Sequence, residues 1–264
     1  MDLELRGKRA LVTGSTAGIG FAIARRLVAE GAHVWVSGRT AARVDAAIAA
    51  LRAEVEGARV DGVAADVGTA EGVAAIVRAV PDLDVLVNNA GIFEPVPFEE
   101  ISDEAWAHMI EVNVMSGVRL SRHYLPRMLA ANEGRILFIS SESGVQIPVE
   151  MIHYGVTKTA QAALARGLAE RTVGTRVTVN TVLPGPTRSE GVGTFLAQLA
   201  QGRGVDEATI EREFFNNARP TSLLRRFSSA DEIADVVAFV ASPRASSING
   251  AAVRAEGGIV RSVF

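Results

Sequence analysis

The amino-acid sequence predicts an α/β fold, in which a single domain holds a doubly wound, seven-stranded parallel sheet flanked by helices. Three observations lead to this prediction. Short apolar runs rich in β-branched residues alternate with longer segments of helical period. Most of these runs are apolar throughout, as in strands that helices cover on both faces. No linker-like stretch divides the 264 residues, so we expect residues 1–264 to form one domain.

The predicted strands occur at regular intervals along the chain. They are Arg9–Thr13, His33–Ser37, Val60–Ala65, Asp84–Asn88, Arg135–Ser140, Arg176–Leu183 and Ala251–Ala255. Between the first two, Ile19, Ile23 and Leu27 form an apolar helical stripe, and Gly31 ends that helix. The repeated strand–helix–strand order implies parallel strands joined by right-handed crossovers.

The composition narrows the functional classes. Hydrophobic residues make up 48% of the chain, enough for a sizeable core. The net charge is −3, from 27 basic and 30 acidic residues, which leaves no basic footprint for nucleic acid. Without cysteine the chain cannot form disulfides or thiolate metal sites. The charged start of the chain and the lack of a long apolar run predict a cytoplasmic protein that does not enter a membrane.

One long connection, from Arg188 to about Ser229, separates the sixth strand from the next helix. Insertions of this length in compact domains are usually functional loops or disordered segments. An apolar cluster at helical spacing favours a folded lid over the substrate. Its residues are Phe195, Leu196, Leu199, Phe214 and Phe215.

A glycine-rich turn directly follows the first strand and precedes a helix. Glycines let the backbone approach a pyrophosphate, and the helix N-terminus stabilises its charge. A purely structural turn is the alternative, but the strand–turn–helix context favours a dinucleotide site. The candidate cofactor contacts in this turn are Gly14, Ser15, Thr16, Gly18, Ile19 and Gly20.

The end of the second strand bears on which dinucleotide binds. An NAD site usually places an acid here, whereas an NADP site offers an arginine to the 2′-phosphate. No Asp or Glu occurs between Glu30 and Asp45, while Arg39 follows the strand and Arg43 lies one helical turn later. This pattern favours NADP(H) over NAD(H), although NAD(H) is not excluded. Two solvated surface arginines are the alternative interpretation.

Two further strand ends carry candidate cofactor contacts. Asp66 and Val67 follow the third strand, where an adenine ring would lie, and Asp66 as a helix cap is an equal alternative. The fourth strand closes with two asparagines, an alanine and a glycine, which turn chemistry alone could explain. The candidates there are Asn89, Ala90 and Gly91.

Tyr154 and Lys158, four positions apart, are the strongest single indication of chemistry. On a helix this spacing places both side chains on one face. A phenol ordinarily ionises near pH ~10, and an ammonium at ~4 Å contributes roughly 4 kcal/mol at an effective dielectric of ~20. We therefore expect Lys158 to lower the pKa of Tyr154 and make it a usable general acid and base. A chance helical pair is the alternative, but Ser141 lies thirteen residues upstream of Tyr154.

Taken together, these motifs resemble the short-chain dehydrogenase/reductase family along essentially the whole chain. The Thr-Gly-x-x-x-Gly-Ile-Gly turn, Asn-Asn-Ala-Gly, the Ser…Tyr-x-x-x-Lys set and Pro184-Gly185 occur in that order at the family's usual spacing. The resemblance implies a Rossmann-type fold and hydride transfer between a nicotinamide cofactor and a small-molecule carbonyl or secondary alcohol.

The resemblance also implies roles for individual residues. Ser141 matches the serine that holds the substrate oxygen, and its neighbour Ser140 fits the spacing less well. Tyr154 matches the acid/base, and Lys158 matches the lysine that binds the nicotinamide ribose and lowers the tyrosine pKa. Asn113 matches the asparagine that supports a proton-relay water, although the pattern alone would favour a packing role. Ser143 joins Ser141 and Tyr154 as a candidate substrate contact.

Some residues depart from the family pattern. Pro184, Gly185 and Thr187 match the turn that contacts the nicotinamide carboxamide, but the family often has an aliphatic residue at the position of Thr187. Ser189 stands where many members have threonine, and Glu256 where the family usually has aspartate. That end commonly packs against a neighbouring subunit, so a homotetramer or homodimer is expected. The apolar tail residues concerned are Ile259, Val260, Val263 and Phe264.

Two other functions compete with the oxidoreductase. A hydrolase needs a Gly-x-Ser-x-Gly elbow, which the chain lacks. A non-catalytic NADP(H)-binding sensor or scaffold would not need the full Ser, Tyr, Lys and Asn set. We expect no metal site, because His33, His108, His123 and His153 show no ligand spacing; His153 beside Tyr154 is also a weak pocket candidate.

The substrate pocket is predicted to mix polar and apolar side chains. Its candidates are Glu142, Ser143, Gln146, Pro148, Glu150 and Met151. Glu142 directly after Ser141 suggests a polar or hydroxylated substrate, and a solvent-facing side chain is the equal alternative. A fold that hosts many chemistries does not choose among thioesters, sugars, steroids and simple ketones.

Overall fold

The structure, a computed structural model, describes residues 1–263, apart from the side chains at positions 190, 191 and 195. Its strands are β1 (Arg9–Val12), β2 (His33–Gly38), β3 (Arg59–Ala64), β4 (Val85–Asn88), β5 (Gly134–Ile139), β6 (Val177–Pro184), β7 (Thr187–Arg188), β8 (Ser228–Ser229) and β9 (Ala252–Ala255). Its α-helices are α1 (Gly18–Ala29), α2 (Ala41–Glu54), α3 (Ala70–Ala79), α4 (Asp103–Ile110), α5 (Ser116–Ala131), α6 (Ile152–Ala169), α7 (Glu190–Arg203), α8 (Glu207–Asn217) and α9 (Ala230–Ala241).

Seven strands form one parallel sheet in the order β3-β2-β1-β4-β5-β6-β9. The predicted Rossmann-type, doubly wound sheet is therefore confirmed, with helices on both faces of a single domain. Predicted and observed strand ends differ by at most one residue. Asp84 and Ser140 fall outside the strands although their amides still continue the ladder, donating to Arg9 O at 2.8 Å and Val182 O at 2.9 Å.

The sheet is buried because apolar helix faces cover it on both sides. One core cluster joins α1, α2 and α9 to the sheet and includes Ile23, Leu27 and Val237. The other joins α3, α5 and α6 to the opposite face and includes Leu120 and Phe138. Burial on both faces explains why the strands are apolar throughout, rather than alternating.

The segment between β6 and α9 folds into two helices, α7 and α8. Its base is closed by β7 and β8, which pair in parallel with Thr187 opposite Ser228 and Arg188 opposite Ser229. Sequence patterning missed these strands because two residues cannot show a period. A separate apolar cluster fills the segment, formed by Leu196, Ala200, Ile210, Phe215 and Phe227, with Val192 and Phe214 packed against it.

Two of the residues predicted to form that cluster, Leu199 and Phe195, are not among those given above. Leu199 is 36% exposed and lies outside the cluster, because it falls on the outer face of α7. The side chain at position 195 lies outside the described residues.

The C-terminal residues differ from the predicted apolar tail. Ile259 and Val260 are buried within this chain, so their apolar character is explained without a second subunit. The Glu256 carboxylate accepts the backbone N–H groups of Ile259 and Val260, which fixes the turn. Val263 is exposed, and Phe264 lies outside the described residues.

Candidate active site

A cavity of about 410 Å³ opens at the carboxyl edge of the sheet, beneath α7 and α8. Parallel strands present all their carboxyl ends at one edge, so the loops after β1, β4, β5 and β6 meet there. The strand order reverses between β1 and β4, which makes this edge a topological switch point. The cavity wall includes Ile19, Asn89, Gly91, Ser141, Tyr154 and Arg219.

The glycine-rich turn fits a pyrophosphate. Gly14 and Gly18 have φ of +61° and +58°, a conformation that a side chain would strain. Helix α1 starts at Gly18, and its N-cap, Ala17, provides no side-chain hydrogen bond. The first N–H groups of α1 therefore have no side-chain cap, and the helix dipole favours an anion beside them.

Two residues of this turn, Ser15 and Gly20, support its shape. The Ser15 hydroxyl donates to Val12 O at 2.7 Å and accepts from Ser37 N at 2.9 Å, and Ser15 is fully buried. Its side chain and its backbone N–H, which donates to Ser37 O at 3.0 Å, thus both join β1 to β2. Gly20 is required because a Cβ there would lie 2.3 Å from Gly14 O.

The loop after β4 holds the turn from the other side. Asn89 Nδ2 donates to Thr13 O at 2.9 Å and Gly14 O at 3.1 Å. Thr13 Oγ1 accepts from the amides of Asn89 and Ala90, each at 3.0 Å. A Cβ on Gly14 would lie 2.9 Å from Ala90 Cα, so the two loops are in close contact.

Three of the predicted contacts at the ends of β2 and β3, Arg39, Arg43 and Asp66, are exposed. Arg39 and Arg43 form no ion pair with another described residue. Asp66 is not the cap of α3, because Thr69 occupies that position and accepts from Gly72 N at 3.0 Å. Asp66 instead accepts from Gly68 N at 2.9 Å, and Val67 is buried beside it.

At the end of β5, the two adjacent serines have different surroundings. Ser140 Oγ donates to Lys158 O at 2.7 Å and is used in packing the loop against α6. Ser141 Oγ accepts from Ser143 N at 3.1 Å and, with Tyr154, lines the cavity. Ser143 is buried and also forms part of the wall. Both serines belong to the cavity wall, but Ser141 is the one that forms a hydrogen bond with Tyr154, whereas the Ser140 hydroxyl donates to Lys158 O.

Lys158 is buried beneath Tyr154, one helical turn further along α6. Its Nζ donates to Ile139 O at 2.8 Å and to Gln161 Oε1 at 3.3 Å, and lies 5.5 Å from the centroid of the Tyr154 ring. Burial lowers the pKa of Lys158 to about 8, because a charged ammonium is poorly solvated there.

The expectation that Lys158 lowers the pKa of Tyr154 is wrong for this structure. Burial raises the pKa of Tyr154 above its ordinary value. A hydrogen bond between Tyr154 and Ser141 and the charge of Arg219 oppose that rise, and the charge of Glu142 adds to it. The lysine has little effect because its Nζ points to Ile139 O and Gln161 under the ring, not to the phenol oxygen.

Asn113 lies in a π-helical turn, Glu111–Met115, between α4 and α5. Its side chain bonds both backbone groups of Ile92, at 2.8 Å and 2.9 Å, and donates to Thr157 Oγ1 at 3.0 Å. The backbone carbonyl of Asn113 accepts from Gln161 Nε2 at 2.6 Å. Gln161 thereby joins Asn113 to Lys158, a role that the motif comparison missed although Gln161 lies three residues after Lys158.

Glu142 faces the cavity from the first residue after Ser141, and it is buried rather than solvent-facing. Ser141 Oγ donates to Glu142 Oε2 at 2.5 Å, and Arg219 Nε donates to Glu142 Oε1 at 2.9 Å. Arg219 also donates to Glu150 Oε1 at 3.4 Å. The Arg219–Glu142 pair joins residues 77 positions apart in the chain.

The remaining predicted contacts are divided between cavity and interior. Pro184, Gly185 and Thr187 line the cavity, and Thr187 Oγ1 donates to Gly185 O at 2.9 Å. Of the other predicted pocket residues, Glu150 and Met151 belong to the described wall, whereas Gln146 and Pro148 do not.

The histidines have no role in the described site. His153 is buried, and its ring meets that of Trp106 edge-on at 5.8 Å, outside the described cavity wall. Across residues 1–263, no group of three or more His, Cys, Asp or Glu side chains is arranged to hold a metal ion. Over the same residues, each helix is too short or too polar to span a bilayer.

Comparisons with known proteins agree with this geometry. The family model described as short chain dehydrogenase matches residues 8–199. An uncharacterized oxidoreductase, YvaG of Bacillus subtilis (strain 168), is 49% identical over 264 residues and covers 100% of both chains. The D-beta-hydroxybutyrate dehydrogenase of Cupriavidus necator is 33% identical, with 97% of this chain and 99% of that protein covered.

Solved structures give the same result. The L-sorbose reductase of Gluconobacter frateurii, complexed with NADPH and L-sorbose, superposes with a TM-score of 0.94 at 33% identity and 100% coverage of both chains. A putative NAD(P)-dependent gluconate 5-dehydrogenase of Beutenbergia cavernae with bound NADP gives 0.86 at 32% identity, covering 99% of this chain and 100% of that one. The chain therefore belongs to the short-chain dehydrogenase/reductase family, and is an NAD(P)-dependent oxidoreductase of C=O and CH–OH groups.

Proposed function

We propose that Ser141, Tyr154, Lys158 and Asn113 form the catalytic machinery for reduction of a small-molecule ketone, or oxidation of the matching secondary alcohol. One observation carries the proposal. Ser141 and Tyr154 meet at the wall of one cavity, and this wall also includes Ile19 of the glycine-rich turn that suits a dinucleotide pyrophosphate. A nicotinamide cofactor, when bound, supplies or accepts the hydride.

Each residue has a distinct part in this proposal. Ser141 and Tyr154 hold the substrate oxygen, and Tyr154 donates the proton to it during reduction. The raised pKa keeps Tyr154 in its phenol form at neutral pH, which is the form that donates. Lys158 holds positive charge beneath the ring, and Asn113 with Gln161 fixes the position of its amine.

Replacement of Tyr154 by Phe tests this assignment. We expect kcat for ketone reduction to fall at least about 100-fold, because the proton donor is lost. NADPH binding, measured by fluorescence titration, should persist. Tyr124→Phe is a matched control, since Tyr124 OH donates to Val80 O at 2.6 Å inside the core. Unchanged turnover in Tyr154→Phe would overturn the assignment, and a wild-type protein that binds NADPH but reduces no ketone would favour the sensor alternative.

We further propose NADP(H) as the preferred cofactor, with NAD(H) also accepted. Arg39 and Arg43 support this preference, because both are exposed just after β2 where the adenosine ribose of a dinucleotide lies in such folds. No acid between Glu30 and Asp45 could hold the ribose hydroxyls instead. We assign the other proposed cofactor contacts to the same site. They lie in the glycine-rich turn, at the ends of β3 and β4, and in the Pro184 loop.

We propose cytoplasmic residence and assembly into a homotetramer, or a homodimer. The lack of cysteine suits a reducing compartment. Large apolar side chains exposed near the C-terminal turn support assembly, since Leu223 is 82% exposed and Val263 is 89% exposed. Sedimentation velocity of the full chain would test the assembly, and a monomer at micromolar concentration would contradict it.

The segment 188–229 is proposed as the substrate lid. Val192, Leu196 and Phe214 from α7 and α8 line the cavity, and Arg219 after α8 reaches the loop of Ser141. Substrate identity therefore depends on this segment as well as on the sheet edge.

A further inference from the structure

The hydroxyl proton of Ser141 is already used within the protein. Ser141 Oγ donates to Glu142 Oε2 at 2.5 Å, and a serine hydroxyl has only one proton to donate. A substrate carbonyl needs a donor, because its oxygen gains negative charge as hydride arrives. A simple ketone must therefore compete with a buried carboxylate for the Ser141 proton.

Glu142 cannot easily turn away from Ser141. The side chain is 4% exposed, and Arg219 Nε donates to its other oxygen, Oε1, at 2.9 Å. Arg219 is itself 8% exposed, and donates to Ala218 O at 2.9 Å as well as to Glu150. The guanidinium thus anchors Oε1 of Glu142, and Oε2 is presented to Ser141 and the cavity.

A hydroxyl on the carbon next to the carbonyl resolves this competition. That hydroxyl lies roughly 3 Å from the carbonyl oxygen, about the length of one hydrogen bond. Because Ser141 and Glu142 are also one hydrogen bond apart, the substrate's two oxygens match the two protein oxygens. The substrate hydroxyl can donate to Glu142 Oε2, and the Ser141 hydroxyl is then released to donate to the carbonyl.

We propose that Glu142 is a specificity-determining residue that selects α-hydroxy ketones, and vicinal diols in the reverse reaction, with Arg219 as its positioning residue. The proposal rests on the proposed function, in which Ser141 and Tyr154 hold the reacting oxygen. Hydride adds to the carbonyl carbon and the proton from Tyr154 adds to its oxygen. The neighbouring hydroxyl keeps its own proton, so Glu142 accepts a hydrogen bond and takes no part in proton transfer.

The test compares 1-hydroxy-2-butanone with 2-butanone as substrates, with NADPH in excess. A hydrogen bond to a charged group changes binding by roughly 10- to 100-fold. We expect wild-type kcat/KM to be higher for the hydroxy ketone by about that factor, with 2-butanone still turned over measurably. Glu142→Gln should reduce the preference to about threefold or less, since a neutral amide oxygen is a weaker acceptor.

Two controls separate the possible outcomes. Glu213→Gln makes the same substitution on the outer surface of α8, where Glu213 pairs with Arg203, and should keep the wild-type preference. If Glu142→Gln folds poorly, Arg219→Lys tests the same contact, because lysine cannot donate through a planar Nε and should also lower the preference.

Equal kcat/KM for the two ketones in the wild type, or an undiminished preference in folded Glu142→Gln, would overturn the inference while leaving the proposed function standing. Turnover of neither ketone class, with Tyr154→Phe indistinguishable from wild type, would overturn both.

Discussion

Burial of charge governs the centre of the site at the scale of single residues. Lys158 is 4% exposed, and its pKa falls from an ordinary 10.5 to about 8. Between these two values the folded state has released the proton while the unfolded state still holds it. The unfolded state then binds more protons, so the free energy of unfolding rises with pH through this window. As pH falls through 8, that contribution is lost.

Replacement of Lys158 by Met should remove this pH dependence. We expect the free energy of unfolding of the wild type to rise, relative to Lys158→Met, by roughly 2 kcal/mol between about pH 7 and about pH 9.5. Urea denaturation at several pH values measures the difference, and the window ends below the ordinary pKa of tyrosine. Lys8→Met, at a partly exposed lysine paired with Glu133, is the matched control. A difference that stays constant with pH would contradict the shift.

At the scale of elements, the base of the lid segment depends on how α9 begins. Ser229 caps α9 by accepting from Glu232 N at 3.1 Å, and Glu232 Oε2 accepts from Ser229 N at 2.8 Å. Arg226 donates to both oxygens of the same carboxylate. Because Ser229 also belongs to β8, one capping box connects the end of the lid segment to α9, the helix that packs on β5 and β6.

Ser229→Ala should lower the free energy of unfolding by about 1 kcal/mol, because an N–H of α9 loses its cap. Thermal or urea denaturation checks this value. The comparison variant is Ser247→Ala, at an exposed serine whose hydroxyl has no hydrogen-bond partner among residues 1–263, and its effect should stay within about 0.5 kcal/mol. Equal effects of the two substitutions would show that the cap contributes nothing.

At the scale of the whole molecule, the parallel sheet places cofactor and substrate groups along one edge. The ends of β1, β2, β3 and β4 and the Pro184 loop after β6 supply the proposed dinucleotide contacts. Ser141 after β5, with Tyr154 and Lys158 on α6, supplies the proposed reacting groups. The lid segment, residues 188–229, lies over the proposed reacting groups only. Cofactor preference and substrate preference are therefore set at separate places, and each can be changed without the other.

Arg39→Ala tests this separation. We expect kcat/KM for NADPH to fall roughly 10- to 100-fold through loss of a charge-assisted hydrogen bond, with kcat/KM for NADH changed little. Initial rates with both cofactors and one ketone give the comparison. Arg59→Ala is the control, because Arg59 is an exposed arginine at the amino end of β3, on the opposite edge of the sheet. A parallel loss with both cofactors would contradict a role at the 2′-phosphate.

The prediction from sequence succeeded where local pattern and global environment agree. Most strands covered on both faces are apolar throughout, so the seven-stranded sheet could be predicted from apolar runs that alternate with segments of helical period. It failed where two side chains could fill one local role, and where a contact joins residues far apart in the chain. Thr69, rather than Asp66, caps α3, although both lie just before that helix. Gln161 joins Lys158 to Asn113, 48 positions earlier in the chain, and no short motif encodes that contact.

The sequence by itself determined the parallel sheet, the family and the candidate reacting residues, because these follow from periodicity and from motifs at fixed spacing. Only the tertiary structure decided which charges meet. It placed Arg219 against Glu142, turned the Lys158 amine toward Ile139 O, and buried Tyr154, and this burial raises the pKa of Tyr154. The physical reason is that a pKa or a hydrogen bond depends on distance and burial in the folded chain, and neither can be read from spacing along it.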